Sequence, residues 1–351
     1  MKAVMMTRRE LLLSLPALAL APQVLAQARP SFKVRAINHM TIGVSDPKRT
    51  VEFYQTLFGM PLQARQGATP VLRVGAGPQF MAVSQVGAGQ TPSITHYCLT
   101  IDDFEVDRVL GVLAAHGVTR AEAPGGGMSG GPLKVRVRMR GPESGGAPGG
   151  TPEIYVGDPD GNVVQLQAPT YGGGAGRLGE VLKVEPSPSK GLIALEDYSH
   201  FTLFGQDSPR TNKWYQDLFG VGIRSYQGPT SPTLAVGPTV QFVMITGGGA
   251  GRAGAPPRPS SINHVSFNMK NFNVEAVQKA LESVGIKPRE GTTGAVPPMR
   301  HYISMRMENR GGAKEGTPEL YFTDPDGILV QIQDVSYCGG GGYLGNLCPP
   351  V

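Results

Sequence analysis

Charge, histidine, cysteine and long apolar runs are all scarce in this chain. Of 351 residues only 17% are charged, six are histidine and three are cysteine. The apolar run from Leu11 to about Ala21 falls well short of the roughly 20 residues needed to cross a bilayer, so no stable membrane span is expected in the mature form. The formal net charge is +5, but the basic residues are scattered and form no dense stripe, which argues against a nucleic-acid partner. The glycine clusters at Gly125, Gly172, Gly247 and Gly339 neither follow a strand nor open a helix in GxGxxG or P-loop form, so they are not phosphate loops. What is abundant is glycine, 49 residues, and proline, 31, beside a 40% hydrophobic content. That composition suits a globular protein with many loops, long enough for two domains of ordinary size.

The first residues read as a separate element. "TRRELLLSLPALALAPQVLAQA" carries Arg8 and Arg9, then the short apolar run, then alternating small residues before a cut after Ala26 or Ala28. Residues 1–28 resemble a twin-arginine signal peptide, which implies the twin-arginine export machinery as a partner and a periplasmic or secreted destination. In such an oxidising place Cys338 and Cys348, separated by "GGGGYLGNL", can either close a small loop as a structural disulfide or stay free. Cys98, inside an apolar strand, reads as a small core residue.

The rest of the chain repeats itself. "GTPEIYVGDPDGNVVQLQ" from Gly150 matches "GTPELYFTDPDGILVQIQ" from Gly316 without a gap, and "VEFYQTLFGMPLQARQG" from Val51 resembles "NKWYQDLFGVGIRSYQG" from Asn212. Two copies of one domain are therefore expected, at 34–170 and 195–337, with a Gly/Pro-rich linker at 171–194 and a Gly/Cys tail at 338–351. Each copy holds a smaller repeat of strand, helix and several short strands. Asp46 and Pro47 open a helix that Gly59 stops; Pro209 and Gly220 bound its counterpart; Val277 and Leu281 share the inner face of another. Four strands carry a histidine at one position: "AINHMTIGVSD", "SITHYCLTIDD", "DYSHFTLFGQD" and "SINHVSFNMKN". Only His116 and His301 fall outside the pattern.

Four such units, the histidine strands and the "DPDG" hairpins at Asp158 and Asp324 resemble the vicinal oxygen chelate superfamily, which includes glyoxalase I, extradiol dioxygenases and bleomycin-resistance proteins. The resemblance implies an α+β fold: four βαβββ modules paired into two domains, each a curled mixed sheet forming a cup with the helices outside. It implies that His39 and His96 in one cup, and His200 and His264 in the other, are metal ligands. Where the family commonly carries a closing glutamate, this chain has Gln165 and Gln331. Alternation in "NVVQLQ" puts Gln165 on one face with Val163 and Gln167, away from Val164 and Leu166. The second acidic position of the family falls around "QFMAVS" and "QFVMIT", and neither contains Asp or Glu.

Glu153 and Glu319, recurring in "TPEIY" and "TPELY", read either as solvated strand-edge carboxylates or, turned inward, as general bases or substitute ligands. Tyr97, beside His96, and Tyr155 with Tyr321 read as strand residues or as donors to a bound oxyanion. The implied function is a metal-dependent enzyme acting on a small oxygen-rich substrate, either a ring-cleaving dioxygenase or a glyoxalase-type isomerase or lyase, with Fe2+, Mn2+, Ni2+ or Zn2+ as cofactor. The alternative is a metal-free binding protein of the bleomycin-resistance type.

Overall fold

A computed structural model describes residues 31–122, 124–247 and 259–350. The signal peptide read at 1–28 lies outside them. The first half runs β1 (Val34–Val44), α1 (Pro47–Phe58), β2 (Leu62–Gln66), β3 (Thr69–Arg73), β4 (Phe80–Gln85), β5 (Ser93–Ile101), α2 (Val106–Ala115), β6 (Thr119–Arg120), β7 (Lys134–Arg140), β8 (Thr151–Gly157) and β9 (Val163–Gln167). The second half repeats the order as β10 (Asp197–Gly205), α3 (Ser208–Phe219), β11 (Ile223–Tyr226), β12 (Pro232–Ala235), β13 (Phe242–Gly247), β14 (Ser261–Met269), α4 (Val274–Ser283), β15 (Lys287–Pro288), β16 (Arg300–Arg306), β17 (Thr317–Thr323) and β18 (Leu329–Asp334).

Each half forms one mixed sheet of nine strands, in the orders β2-β3-β4-β1-β5-β9-β8-β7-β6 and β11-β12-β13-β10-β14-β18-β17-β16-β15. The two modules of a half meet where their histidine strands pair antiparallel, β1 with β5 and β10 with β14. Local chemistry sets the helices. Asp46 accepts from the amides of Lys48 and Arg49, Pro47 opens α1, and Gly59 at φ 65° ends it. Asp207 and Gly220 do the same for α3, and Asn273 caps α4.

The two faces of each sheet have different fates. One face, with α1 and α3 packed on it, joins a single apolar core that runs through both halves and includes Met40, Leu99, Phe201 and Phe267. The opposite face is the concave one, lined by small separate clusters: Phe80, Val71, Ala82 and Tyr171 in the first half, Phe242, Met244 and Tyr337 in the second. A register shift between Ile37 and His39 lets Ile37 join the main core although simple alternation would place it beside His39.

The hairpins clasp the halves together. Gly161 and Gly327 donate to the carbonyls of Asp158 and Asp324, the bond that closes a type I turn. Asp160 pairs with Arg210 at 2.8 Å and Asp326 with Arg49 at 2.9 Å, each at the helix start of the other half. Tyr215 donates to Asp158 at 3.4 Å and Tyr54 to Asp324 at 3.3 Å, a reciprocal arrangement across a pseudo-twofold.

The segments after each sheet are packed structure. Tyr171 is buried, and its continuation doubles back on itself through Gly172, Gly174 and Gly179, so 171–179 belongs to the first cup and does not hang free as a linker. The tail does the same in the second cup with Tyr337, and there Cys338 and Cys348 form a disulfide. Cys98 is free and buried on the concave face. No helix among the described residues is long and apolar enough to cross a membrane.

Candidate metal centres in the two cups

The first cup brings His39, His96 and Gln165 together. β9 runs parallel to β5 with Gln165 opposite Cys98, and Cys98 is opposite His39 on β1, so three neighbouring strands aim their side chains at one point. Gln165 Oε1 lies 3.0 Å from His39 Nε2 and 3.1 Å from His96 Nε2. All three side chains are at most 3% exposed. His39 stacks on Phe80 with ring centroids 4.2 Å apart, and His96 meets Tyr155 edge-on.

The neighbours decide which ring nitrogen is free. Asn38 donates its Nδ2 to the Tyr171 carbonyl at 2.8 Å, which leaves its Oδ1 facing His39 Nδ1 at 2.7 Å. An amide oxygen only accepts, so with Asn38 held by the Tyr171 carbonyl His39 carries its proton on Nδ1, and its Nε2 lone pair then faces the lone pairs of Gln165 Oε1. Thr95 donates its hydroxyl proton to the Thr41 carbonyl and so accepts from His96 Nδ1 at 3.1 Å, with the same result. Burial pushes the His39 pKa well below its ordinary value, helped by His96, and pushes His96 down to about 4. Both rings are neutral at physiological pH, the form that binds metals.

The second cup repeats the plan with looser contacts. His264 Nδ1 faces Asn263 Oδ1 at 2.7 Å and His200 Nδ1 faces Ser199 Oγ at 3.0 Å. Burial lowers His200 well below its ordinary pKa and His264 to about 4, and Gln331 beside them opposes that effect. Here His264 Nε2 and both amide atoms of Gln331 are buried without any hydrogen-bond partner. Among the described residues no three His, Cys, Asp or Glu side chains gather as a metal site, so the donors of each cup are two imidazoles and an amide.

The structure separates the remaining candidates. Glu153 does turn inward, but it is held: Arg140 Nε pairs with it at 2.6 Å, and Tyr155 and Tyr171 donate to it at 2.9 and 2.8 Å. Glu319 repeats this with Arg306 at 2.8 Å, Tyr337 at 2.9 Å and Tyr321 at 3.3 Å. Neither is a solvated edge residue, and each is neutralised by its arginine, so they hold the cup rather than complete a ligand set. Tyr97 is not in the cup at all. Period two sends it to the face opposite His96, into the shared core, where it donates to Tyr215 at 2.8 Å. His301 is buried against Glu282 at 3.2 Å, and His116 caps the end of α2.

Sequence reading missed Arg140 and Arg306, Tyr171 and Tyr337, and the small polar residue before each histidine. The signal was present: Asn38, Thr95, Ser199 and Asn263 recur at one position, and "YGGGAGRLG" from Tyr171 parallels "YCGGGGYLG" from Tyr337. Glycine-rich composition disguised the first strap as a linker and the second as a tail. Gly173 is needed there, because a Cβ would meet the Phe80 ring at 3.1 Å and its φ is 72°.

A family model described as Glyoxalase/Bleomycin resistance protein/Dioxygenase superfamily matches residues 36–166 and 198–332. Among solved structures, the substrate complex of homoprotocatechuate 2,3-dioxygenase from Brevibacterium fuscum superposes with TM-score 0.58 at 18% identity, covering 87% of this chain and 82% of that one. The enzyme of the same name from Arthrobacter globiformis gives 0.57 at 18% identity, covering 86% and 80%. No curated protein matches the sequence.

Proposed function

Given that the chain belongs to the glyoxalase, bleomycin resistance protein and dioxygenase superfamily, we propose that it is a metal-dependent enzyme acting on a small oxygen-rich substrate, with catechol ring cleavage the reaction assigned first. The observation that carries this reading is the pair of Nε2 lone pairs in the first cup, set by Asn38 and Thr95, that converge on the Gln165 amide, with His264 oriented by Asn263 near Gln331 in the second cup. In the second cup His264 Nε2 and both amide atoms of Gln331 lack any partner, and each buried unpaired polar atom costs about 1–3 kcal/mol. A divalent cation fits this donor chemistry: His39, His96 and Gln165 would hold one, and His200, His264 and Gln331 another.

When bound, such an ion (Fe2+, Mn2+, Ni2+ or Zn2+) supplies a Lewis acid that two adjacent substrate oxygens can chelate. The protein's own residues shape what reaches it. Three neutral donors leave the ionic charge uncancelled, so an anionic oxygen of the substrate is favoured over a neutral one. Phe80, Tyr155 and Tyr171 exclude water from the first cup, and the strap carrying Tyr171 must lift for a substrate ring to enter. Export through the twin-arginine machinery to the periplasm or the exterior is part of the same proposal and rests on Arg8, Arg9 and the apolar run after them.

The test is metal content of protein purified without chelators or affinity tag and loaded anaerobically, comparing the parent with His39→Ala/His96→Ala and with His200→Ala/His264→Ala. Near-stoichiometric metal that a double variant abolishes supports the reading, and oxygen uptake with catechols such as 3,4-dihydroxyphenylacetate then tests the reaction. A parent chain that holds no metal after loading overturns it. One observation favours a second reading, a metal-free binding cup: turned over, the Gln165 amide would donate to both Nε2 atoms and satisfy the first cup by itself. Thermal-shift screening of metal-free protein with small oxygenated aromatics checks that.

A further inference from the structure

We propose that Asn38 is a positioning residue that couples closure of the Tyr171 strap to the metal-ligating tautomer of His39. The inference rests on the metal reading above and adds to it a link between access and ligation. Asn38 is 2% exposed and uses both ends of its amide: Nδ2 on the strap's Tyr171 carbonyl, Oδ1 on His39 Nδ1. The strap therefore orients the amide, and the amide orients the imidazole proton. Once the strap lifts, nothing else in this pair of bonds forces Oδ1 toward the ring. The amide can turn over and donate to Nδ1, which moves the ring proton to Nε2 and removes the lone pair a cation needs.

Closure and ligation thus favour one another, and by linkage the effect runs both ways: a cation held by His39 keeps the strap shut. The second cup is built differently. The residue before His200 is Ser199, whose hydroxyl can donate or accept and so selects no tautomer. The coupling belongs to the first cup.

Arg177, on the exposed part of the strap, gives a readout that needs no activity. Trypsin cleavage after Arg177, followed by mass spectrometry with and without saturating Zn2+, reports strap opening in the first cup whatever happens in the second. In the parent chain Zn2+ is expected to slow this cleavage about tenfold or more, the size of an ordinary coupling, and His39→Ala should abolish the protection. Asn38→Asp keeps the shape but can only accept, so it holds the Nδ1–H tautomer whether the strap is open or shut. This variant should bind Zn2+ at least as tightly as the parent and lose most of the protection. Asn38→Leu should weaken Zn2+ binding in this cup by about 10–100-fold. Zn2+ bound by the parent without protection overturns the coupling and leaves the metal reading intact. Full protection in Asn38→Asp removes Asn38 from the link. A parent chain that binds no Zn2+ overturns the metal reading, and the inference with it.

Discussion

The phenol of Tyr171 donates to Glu153 Oε1 at 2.8 Å, and the Tyr171 ring lies 5.5 Å from that of His39. A residue from the segment joining the two halves is thus anchored over the first cup by a carboxylate whose charge Arg140 balances. The arrangement recurs with Tyr337, Glu319 and Arg306. Cup closure in both halves therefore draws on a buried ion pair and a tyrosine hydroxyl, beside the bond each arginine donates to a carbonyl of its strap.

These two contributions differ in size. Glu153→Gln leaves the Arg140 guanidinium buried without its counter-ion, and a loss of about 3–5 kcal/mol is expected in urea unfolding. Tyr171→Phe removes a single hydrogen bond and should cost about 0.5–1.5 kcal/mol, or up to about 3 if the carboxylate feels its loss fully. Equal losses for the two variants would contradict the assignment of Arg140 as the principal partner of Glu153.

Restoring a carboxylate should restore affinity. Gln331→Glu adds a negative charge where Gln331 has no hydrogen-bond partner, and the charge count of a site is a main control of its affinity for a divalent ion. Competition against a chromophoric chelator should show tightening of more than about tenfold, lost again in the His200→Ala/His264→Ala background. No tightening would place Gln331 outside the ligand set.

The inter-domain hairpins make stability depend on pH. Burial raises the Asp158 carboxyl to about 7 and Asp324 to about 6. A carboxyl raised in the folded state binds its proton more tightly there than in the unfolded chain, so its contribution favours folding at low pH. That contribution is lost as pH rises from about 4 to the folded value. Asp158→Asn removes the titration. The difference in unfolding free energy between variant and parent should move in favour of the variant between pH 5 and 8, by an amount on the order of a few kcal/mol. A difference that stays constant over that range would exclude Asp158 as the titrating group.

The disulfide gives the second strap a covalent tie that the first lacks. Closing a loop of this size by Cys338–Cys348 is worth about 3 kcal/mol in the chain-entropy description. Cys348→Ser is expected to lower the melting temperature, and added reductant should then change nothing further. A variant that melts with the oxidised parent would show that the tail packs equally well untied.

How much of this was legible beforehand follows from the range of each interaction. The four histidine strands, the caps of α1 and α3 and the "DPDG" turns are set by residues within a few positions of one another, so alternation and turn chemistry sufficed to read them. The side of β9 on which Gln165 stands was readable for the same reason, because a strand has only two faces. Tyr97 was misplaced by looking at its neighbour in sequence instead of at that alternation.

What the sequence by itself determined is the repeated module and the position of each histidine on its strand, since these depend on local conformational preference and on the period of the pattern; the pairing of the sheets was implied by the family resemblance. Only the tertiary structure decided the state of those histidines. Asn38 reaches the Tyr171 carbonyl, Arg140 meets Glu153 across β7 and β8, and Asp158 meets Tyr215 of the other half. Such partners are far apart in the chain, and no periodicity encodes a contact that exists only once the sheets have curled and the straps have closed over them.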